Sequence, residues 1–225
     1  MKIVFATGNV HKLREAQEIL GEGYELVTPA SLGITEEIPE TGDTLEANSL
    51  QKAEFLRDKA GDALACFADD TGLEVEALGG APGVYTARYA ELVARREGHP
   101  DPTVNHDFAA NMDTLLSELA KLGPDAPRAA RFRSVVTLIA GGSIYSFEGV
   151  MEGRIAESKA GCGGFGYDPV FIADDYPDLT VAEISEEAKN AISHRGKALR
   201  AMAEWLRAHP LVDLVTPSES AVRAD

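Results

Sequence analysis

Short apolar strands alternate with helical segments in the first part of this chain, and that alternation constrains the fold more than any other feature. Residues 2–6, KIVFA, predict a buried strand, and Leu13, Ala16 and Leu20 then follow at helical spacing. Residues 24–28 predict a second strand. Strands that alternate with helices in this way are typical of α/β proteins.

The middle of the chain continues the pattern. Asp43 and Glu46 predict the N-cap and a variant capping box of a helix that ends before Gly61. Residues 64–68 predict a short strand that runs into the sequence DDTG. Apolar spacing then predicts an amphipathic helix from about Asn105 to Leu122.

Two β-rich runs follow, RFRSVVTLIA and SIYSFEGVMEGRI. They are separated only by Gly141 and Gly142, which predicts a hairpin. A Pro-Asp turn is expected at residues 177–178, and a last helix is expected from Ser193 as N-cap to about Ala208.

These elements together predict an α/β fold. We expect a mixed twisted sheet with flanking helices, arranged as two lobes around a central substrate cleft. Residues 1–209 are expected to form a single domain of these two lobes, and residues 210–225 a mobile tail.

The composition narrows the function classes. The 225 residues include 21 Lys and Arg against 37 Asp and Glu, so the formal net charge is −16. So acidic a chain repels nucleic-acid backbones, which argues against a nucleic-acid partner and leaves free nucleotides possible. Cys66 and Cys162 form no CxxC pair, and the N-terminal apolar run is too short for a signal peptide. Because no apolar stretch reaches membrane-spanning length, we expect a soluble, cytoplasmic protein with no membrane partner.

The first helix carries cations in an unusual place. His11, Lys12 and Arg14 follow the turn at residues 7–9, where the backbone dipole is already positive and acidic residues are preferred. Backbone N–H groups of that turn and Lys12 could converge on one phosphate. The alternative is an ordinary tight turn with solvated basic residues.

Acidic residues after the strand at 64–68 suggest a divalent ion. Asp69 and Asp70 end that strand, and Glu40 lies in the loop ETGDT upstream. One or two carboxylates together with substrate phosphates are the usual ligands of Mg²⁺. Adjacent strand residues point to opposite faces, so we expect only one of the two aspartates to face the cleft. The alternative is an acidic β-turn.

The helix after Asp43 places Asn48 and Lys52 one turn apart. Lys52 could neutralise a phosphate or orient a water molecule. A solvated lysine is the simpler alternative.

Two later segments suggest a base pocket. The loop GCGGFGYDPVF combines four glycines with Phe165, Tyr167 and Asp168, so a ring could stack on a base while a carboxylate meets its edge. The alternative is a flexible loop with core aromatics. His194 and Arg195 again put cations at a helix start, with Lys189 just before them, which favours recognition of acceptor atoms such as a purine carbonyl.

With these segments in place, the sequence resembles the noncanonical purine nucleoside triphosphate pyrophosphatases, the inosine/xanthosine triphosphatases often called Ham1-like. Five motifs carry the resemblance over about residues 1–207, in the family's order. They are ATGNVHK, ETGDTLEANSLQKA, ADDTGLEVEALGGAPGVYTARYA, GGFGYDPVF and KNAISHRG.

The resemblance implies a fold like that of these triphosphatases, and a hydrolase that converts ITP, dITP and XTP to the monophosphate and pyrophosphate. It implies Mg²⁺ as cofactor and a homodimer. It makes Asp70 and Lys52 catalytic, with Asp70 as the proton acceptor for the attacking water, and makes Glu40 and Asp70 the metal ligands. The implied substrate-binding residues are Thr7, Gly8, Asn9, Val10, His11, Lys12, Thr71, Phe165, Gly166, Tyr167, Asp168, Lys189, His194 and Arg195.

The sequence departs from the family pattern at two places. His11 stands where glycine is frequent, and the stretch REGHPDPTVNHD at residues 96–107 resembles an insertion. Two other functions stay open: a Maf-like pyrophosphatase for modified pyrimidine or methylated nucleotides, and a nucleotide sensor without turnover. The segment KNAISHRG argues against the Maf-like function.

Overall fold

The computed structural model describes residues 1–61, 63–99 and 107–211. The predicted helix start at Asn105, most of the insertion-like stretch and nearly all of the predicted tail lie outside the described residues. Within those ranges the strands form a mixed seven-stranded sheet, with neighbours in the order β2-β1-β3-β5-β6-β7 and β4 paired to β3. The strands are β1 Lys2–Phe5, β2 Glu25–Val27, β3 Ala65–Val75, β4 Pro82–Gly83, β5 Ala129–Ala140, β6 Ser143–Ile155 and β7 Phe171–Ala173.

Helices flank this sheet, as the sequence predicts for an α/β fold. They are α1 Val10–Leu20, α2 Leu45–Ala60, α3 Tyr89–Glu97, α4 Phe108–Lys121, α5 Glu186–Ile192 and α6 His194–Ala208. Short 3₁₀ turns lie at Pro29–Leu32, Glu76–Leu78, Thr86–Arg88 and Asp168–Val170.

Pairing in the sheet is both parallel and antiparallel. β1 runs parallel to β2 and to β3, with Ile3 opposite Leu26 on one side and Ala65 on the other. β4 and β7 pair antiparallel with β3 and β6. The predicted hairpin is confirmed, since β5 and β6 are neighbours joined at Gly141 and Gly142, both with positive φ.

The chain divides into two compact units. Unit 1 contains residues 1–70, 135–148 and 196 onwards, and unit 2 contains residues 71–134 and 149–195. Strands β3, β5 and β6 and helix α6 each contribute residues to both units.

The core of unit 1 has two layers, one on each face of its strands. Ile3 and Phe5 of β1 and Phe67 of β3 pack with α1 and α6. Val4 and Cys66, on the opposite face, pack with Leu56 of α2. The period-two alternation of buried residues therefore places α2 on one face and both α1 and α6 on the other.

The core of unit 2 is a single cluster. Leu73 and Val75 of β3 pack there with residues of α3, α4, β5, β6 and β7. Helix α4 contributes Met112, Leu115 and Leu119, as its spacing predicts.

Several predicted details are wrong. Thr44, not Asp43, caps α2, because the chain is still extended at Thr44 and its hydroxyl accepts from the Ala47 amide. The glutamate at position 46 is then one residue too early for a capping box. Leu122 follows the end of α4 and is 52% exposed, so it does not belong to the buried face.

Other differences concern the extent of elements. The strand predicted at 64–68 continues through DDTG as β3, since its later part pairs with β4. The segment before Ser193 forms the helix α5, capped by Ser185, which the sequence analysis missed. Ser193 ends α5 and directly precedes α6.

Candidate active site

The continuous strand β3 assigns its two aspartates to different faces. Alternation puts Asp69 on the same face as Phe67, towards α1, and Asp70 on the same face as Cys66, towards α2. Each carboxylate accordingly meets a lysine from a different helix. Asp69 contacts Lys12 of α1, and Asp70 contacts Lys52 of α2.

Lys52 joins two of the predicted carboxylates. Its Nζ lies 2.8 Å from Oδ1 of Asp70 and 2.9 Å from Oε1 of Glu40. The Lys52 side chain is 6% exposed and that of Asp70 is 12% exposed, whereas the Glu40 side chain is 48% exposed. The pair between Lys52 and Asp70 is therefore shielded from water, while Glu40 approaches from the solvent side.

The first turns of α2 fix this arrangement. Asn48, which is buried, donates its side-chain N–H to Oδ2 of Asp70 at 3.2 Å and accepts the backbone N–H of Gly42 at 2.7 Å. One turn further, Gln51 exchanges two hydrogen bonds with Thr41, both of 2.9 Å. The loop that carries Glu40 is thus tied to α2 beside Lys52.

Burial and charge act against each other at this pair. Burial raises the pKa of Asp70 above its ordinary value, although the charge of Lys52 and the hydrogen bonds from Lys52 and Asn48 lower it. Burial also works to lower the pKa of Lys52, but the negative charges of Asp70, Asp69 and Glu40 outweigh it and raise that pKa.

The donor set here fits Mg²⁺. Glu40 and Asp70 each place a carboxylate oxygen against the Lys52 ammonium, so the two carboxylates lie close enough together to hold a cation beside it. In the described part of the chain, no group of three or more His, Cys, Asp or Glu side chains could hold a metal. Two carboxylates completed by phosphate oxygens and water are the usual ligand set for Mg²⁺.

The turn before α1 is held by its own side chains. Asn9 caps the helix, its Oδ1 accepting the N–H groups of His11 at 2.9 Å and Lys12 at 3.3 Å, and Thr7 accepts the N–H of Asn9 at 3.0 Å. The backbone N–H groups of His11 and Lys12 are therefore already hydrogen-bonded. The Lys12 side chain is 28% exposed and carries the positive charge that the sequence predicts will meet a phosphate. Gly8, Val10 and His11 are exposed.

A cavity in unit 2 gathers the predicted base-binding residues. Its volume is about 100 Å³. It is lined by Thr71, Thr86, Phe108, Phe132, Met151, Phe165, Gly166, Tyr167, Asp168, Lys189, Ser193, His194 and Arg195.

The glycine-rich loop is organised by the buried Asp168. Its Oδ2 accepts the backbone N–H of Phe165 at 2.7 Å and also contacts the Lys189 ammonium. A Cβ on Gly164 would lie 2.0 Å from the same oxygen, so only glycine fits there. Phe165 is 65% exposed, which leaves part of its ring accessible for stacking.

Tyr167 anchors the loop to the core. It is 2% exposed, and its hydroxyl donates to the carbonyl of Thr86 at 2.9 Å. Burial raises the pKa of Tyr167. Its side chain therefore acts as a support, and it lines the cavity as a neutral group.

At the start of α6, His194 stacks on Phe132 of β5, with ring centroids 5.0 Å apart and an angle of 14° between the planes. Thr71, the first residue of unit 2, is hydrogen-bonded through its hydroxyl to Ser134 at 3.1 Å. Each side chain is thus fixed by a neighbour on β5.

Sequence reasoning missed several residues of these two sites. Phe132, Phe108, Met151 and Thr86 line the cavity but lie in segments that carry only an apolar or loop pattern. Asp69 was weighed only as an alternative to Asp70. Its ion pair with Lys12 depends on the face of the sheet that α1 covers, which strand parity alone does not give.

Among residues 1–61, 63–99 and 107–211, no helix is both long and apolar enough to cross a lipid bilayer.

Known proteins are similar to this chain over most of its length. A dITP/XTP pyrophosphatase of Porphyromonas gingivalis is 48% identical over 205 residues, covering 91% of this chain and 97% of that protein. A dITP/XTP pyrophosphatase of Bacillus subtilis is 42% identical, covering 91% and 96%.

Solved structures show the same fold. A HAM1 protein from Coxiella burnetii superposes with a TM-score of 0.80 at 34% identity, covering 92% of this chain and 99% of that one. The nucleoside-triphosphatase/dITP/XTP pyrophosphatase of Mycobacterium abscessus gives 0.71 at 40% identity, covering 90% and 98%. Residues 3–205 match the Ham1 family as a whole. The chain is therefore a member of the Ham1 family.

Proposed function

We propose that this protein hydrolyses ITP, dITP and XTP to the nucleoside monophosphate and pyrophosphate, which removes noncanonical purines from the nucleotide pool. The convergence of Glu40 and Asp70 on Lys52 carries the proposal. The family membership and the printed names of the relatives support it.

Asp70 is the proposed proton acceptor. A water molecule attacks the α-phosphorus, the bond from that phosphorus to the bridging oxygen of the β-phosphate breaks, and pyrophosphate leaves. The carboxylate of Asp70 orients the water and takes its proton. Lys52, fixed against this carboxylate, holds it in position and offsets negative charge on the phosphates.

Mg²⁺ is the proposed metal, held by Glu40 and Asp70 together with phosphate oxygens. When bound, the ion would neutralise negative charge on the leaving pyrophosphate. Lys12 adds a second positive charge at the start of α1.

The cavity of unit 2 is the proposed base site. Phe165 stacks on the purine. Arg195, whose guanidinium has only donors, donates to a 6-keto oxygen and disfavours the 6-amino group of adenine. Thr71, Gly166, Tyr167, Asp168, Lys189 and His194 complete the site. Guanine also has a 6-keto group, so rejection of GTP depends on the surroundings of the 2-amino group.

We further propose that the protein is a homodimer and works in the cytoplasm. Both remain predictions. Sedimentation of the purified chain tests the first.

The direct test of the function is a panel of nucleoside triphosphates assayed for pyrophosphate with and without Mg²⁺. We expect release from ITP, dITP and XTP, little from ATP, and none without the metal. Binding of ITP without pyrophosphate release would favour the sensor. A preference for modified pyrimidine or methylated nucleotides would favour the Maf-like function.

A further inference from the structure

Asp69 is the most deeply buried carboxylate beside the proposed phosphate site. Its side chain is 1% exposed, and its two oxygens lie 3.1 and 3.0 Å from Nζ of Lys12. The Lys12 side chain is 28% exposed. One partner is thus enclosed by the core of unit 1, while the other reaches the surface.

The enclosure prevents Asp69 from touching a substrate itself. A carboxylate at 1% exposure has no open face for water or phosphate, and its position on β3 is fixed by strand pairing. Asp69 also lies on the α1 face of the strand, opposite to that of Asp70. Any effect on the reaction must therefore pass through a neighbour.

Two lysines can transmit such an effect: Lys52, whose pKa the charge of Asp69 helps to raise, and Lys12, which Asp69 contacts directly. A lysine side chain has several rotatable bonds, and fixing it costs conformational entropy. Contact with both oxygens of a rigid carboxylate fixes the Lys12 ammonium before any ligand arrives. The side chain therefore loses this entropy on folding, and ligand binding does not have to offset it. An ammonium has three donors, and the Lys12 side chain is 28% exposed, so an anion can approach it from solvent.

We propose that Asp69 is a positioning residue for phosphate binding, which acts by holding the Lys12 ammonium where a phosphate oxygen meets it. This inference rests on the proposed function, because it assigns Lys12 to the phosphate end. It also separates the two aspartates of DDTG into different roles: Asp70 acts on the attacking water, and Asp69 acts through Lys12.

The opposite effect is also physically possible. If Asp69 merely competed with phosphate for Lys12, its neutralisation would free the ammonium and tighten phosphate binding. The two effects differ in sign, so binding measurements distinguish them.

The test is a double-mutant cycle on the binding of inorganic tripolyphosphate in the presence of Mg²⁺, measured by calorimetry. The four proteins are the parent, Lys12→Met, Asp69→Asn and the double variant. We expect each single variant to bind about tenfold more weakly, since a charge-assisted contact is lost. The double variant should bind as Lys12→Met does, within about twofold, because the proposed effect of Asp69 requires Lys12.

Glu36→Gln is the matched control. It removes one carboxylate of unit 1 from an exposed ion pair with Lys59. The affinity of this variant for tripolyphosphate should equal that of the parent. Asp69→Asn binding as tightly as the parent or tighter would overturn the proposal. Two other results would also overturn it. One is a loss of affinity in the double variant equal to the product of the two single losses, and the other is a parent protein that does not bind tripolyphosphate.

Two further comparisons keep the test decisive. If Asp69→Asn does not fold, the double variant, which lacks both charges, is compared with Lys12→Met, and a difference beyond about twofold contradicts the proposal. Pyrophosphate release from ITP by the parent is measured separately. If that release is absent but the cycle behaves as expected, the proposed function fails while the role of Asp69 stands.

Discussion

The Lys189 ammonium lies 4.2 Å from the centroid of the Phe165 ring. Lys189 also contacts the buried carboxylate of Asp168, which accepts a hydrogen bond from the backbone N–H of Phe165. Asp168 therefore holds both Phe165 and the Lys189 ammonium in place. Phe165 is thus held at the surface by contacts beneath it. This support explains how an exposed ring in a glycine-rich loop can be ready to stack on a base.

The first prediction concerns that support. Gly164→Ala should raise the KM for ITP by about tenfold, because its Cβ would lie 2.0 Å from the Asp168 carboxylate and displace the stacking loop. The affinity for tripolyphosphate, which has no base, should not change. Steady-state kinetics and calorimetry measure the two quantities.

Gly79→Ala is the control for that variant. Gly79 also has a positive φ, of +64° against +72° for Gly164, but a Cβ there meets nothing within 4 Å. Both variants therefore carry the backbone strain, and only one carries the clash. An equal rise in KM for the two would contradict the proposed role of the loop.

The second prediction concerns Arg195. Arg195→Ala should lower the ratio of kcat/KM for ITP over ATP by about tenfold or more, because the site loses donors that match a 6-keto oxygen. Tripolyphosphate affinity should be retained. If activity falls equally for both nucleotides, Arg195 serves the phosphates and not the base.

A third prediction concerns pH. Asn48 donates to Asp70, which favours the carboxylate and lowers the pKa of Asp70 against the effect of burial. In Asn48→Ala that pKa should rise. Asp70 then becomes protonated, and can no longer accept a proton, at a higher pH than in the parent. The acidic limb of the profile of kcat/KM against pH should therefore move to higher pH.

Gln51→Ala separates this effect from loosening of the loop. Gln51 ties Thr41 of the same loop to α2, but no hydrogen bond of its side chain described here goes to Asp70. Its acidic limb should coincide with that of the parent. A limb that moves equally in both variants would show that the loop, and not the hydrogen bond to Asp70, sets the pKa.

The fourth prediction concerns the metal. A chelator should abolish pyrophosphate release and added Mg²⁺ should restore it. Glu40→Gln should raise the Mg²⁺ concentration for half-maximal rate by about tenfold or more, since one of the two proposed carboxylate ligands is lost. Glu37→Gln, an exposed change three residues upstream, should leave it unaltered. Equal metal dependence in both variants would remove Glu40 from the site.

Local patterns in the sequence were sufficient for much of the fold. The apolar run of β1, the helical spacing of α1 and the two glycines of the hairpin each depend on neighbours in sequence, and all three elements are confirmed. Tertiary pairing decided the rest. β3 extends through DDTG because β4 pairs with it, and β4 has only two residues, too few to give a pattern.

The candidate site shows the same division. Strand parity predicted that Asp69 and Asp70 face opposite ways, and the structure confirms this through their different lysines. Which lysine meets which aspartate depends on the faces taken by α1 and α2, and those follow from core packing. The stacking of Phe132 on His194 likewise joins residues 62 positions apart in sequence, and no local pattern predicts it.

The most direct test of the proposed reaction is the fate of the oxygen atom from the attacking water. The parent is allowed to hydrolyse ITP with Mg²⁺ in oxygen-18 water, and the products are analysed by mass spectrometry. Attack at the α-phosphorus predicts label in inosine monophosphate and none in pyrophosphate, with turnover lost in Asp70→Asn. Label in pyrophosphate or in free phosphate, or undiminished turnover by Asp70→Asn, would contradict the proposed reaction.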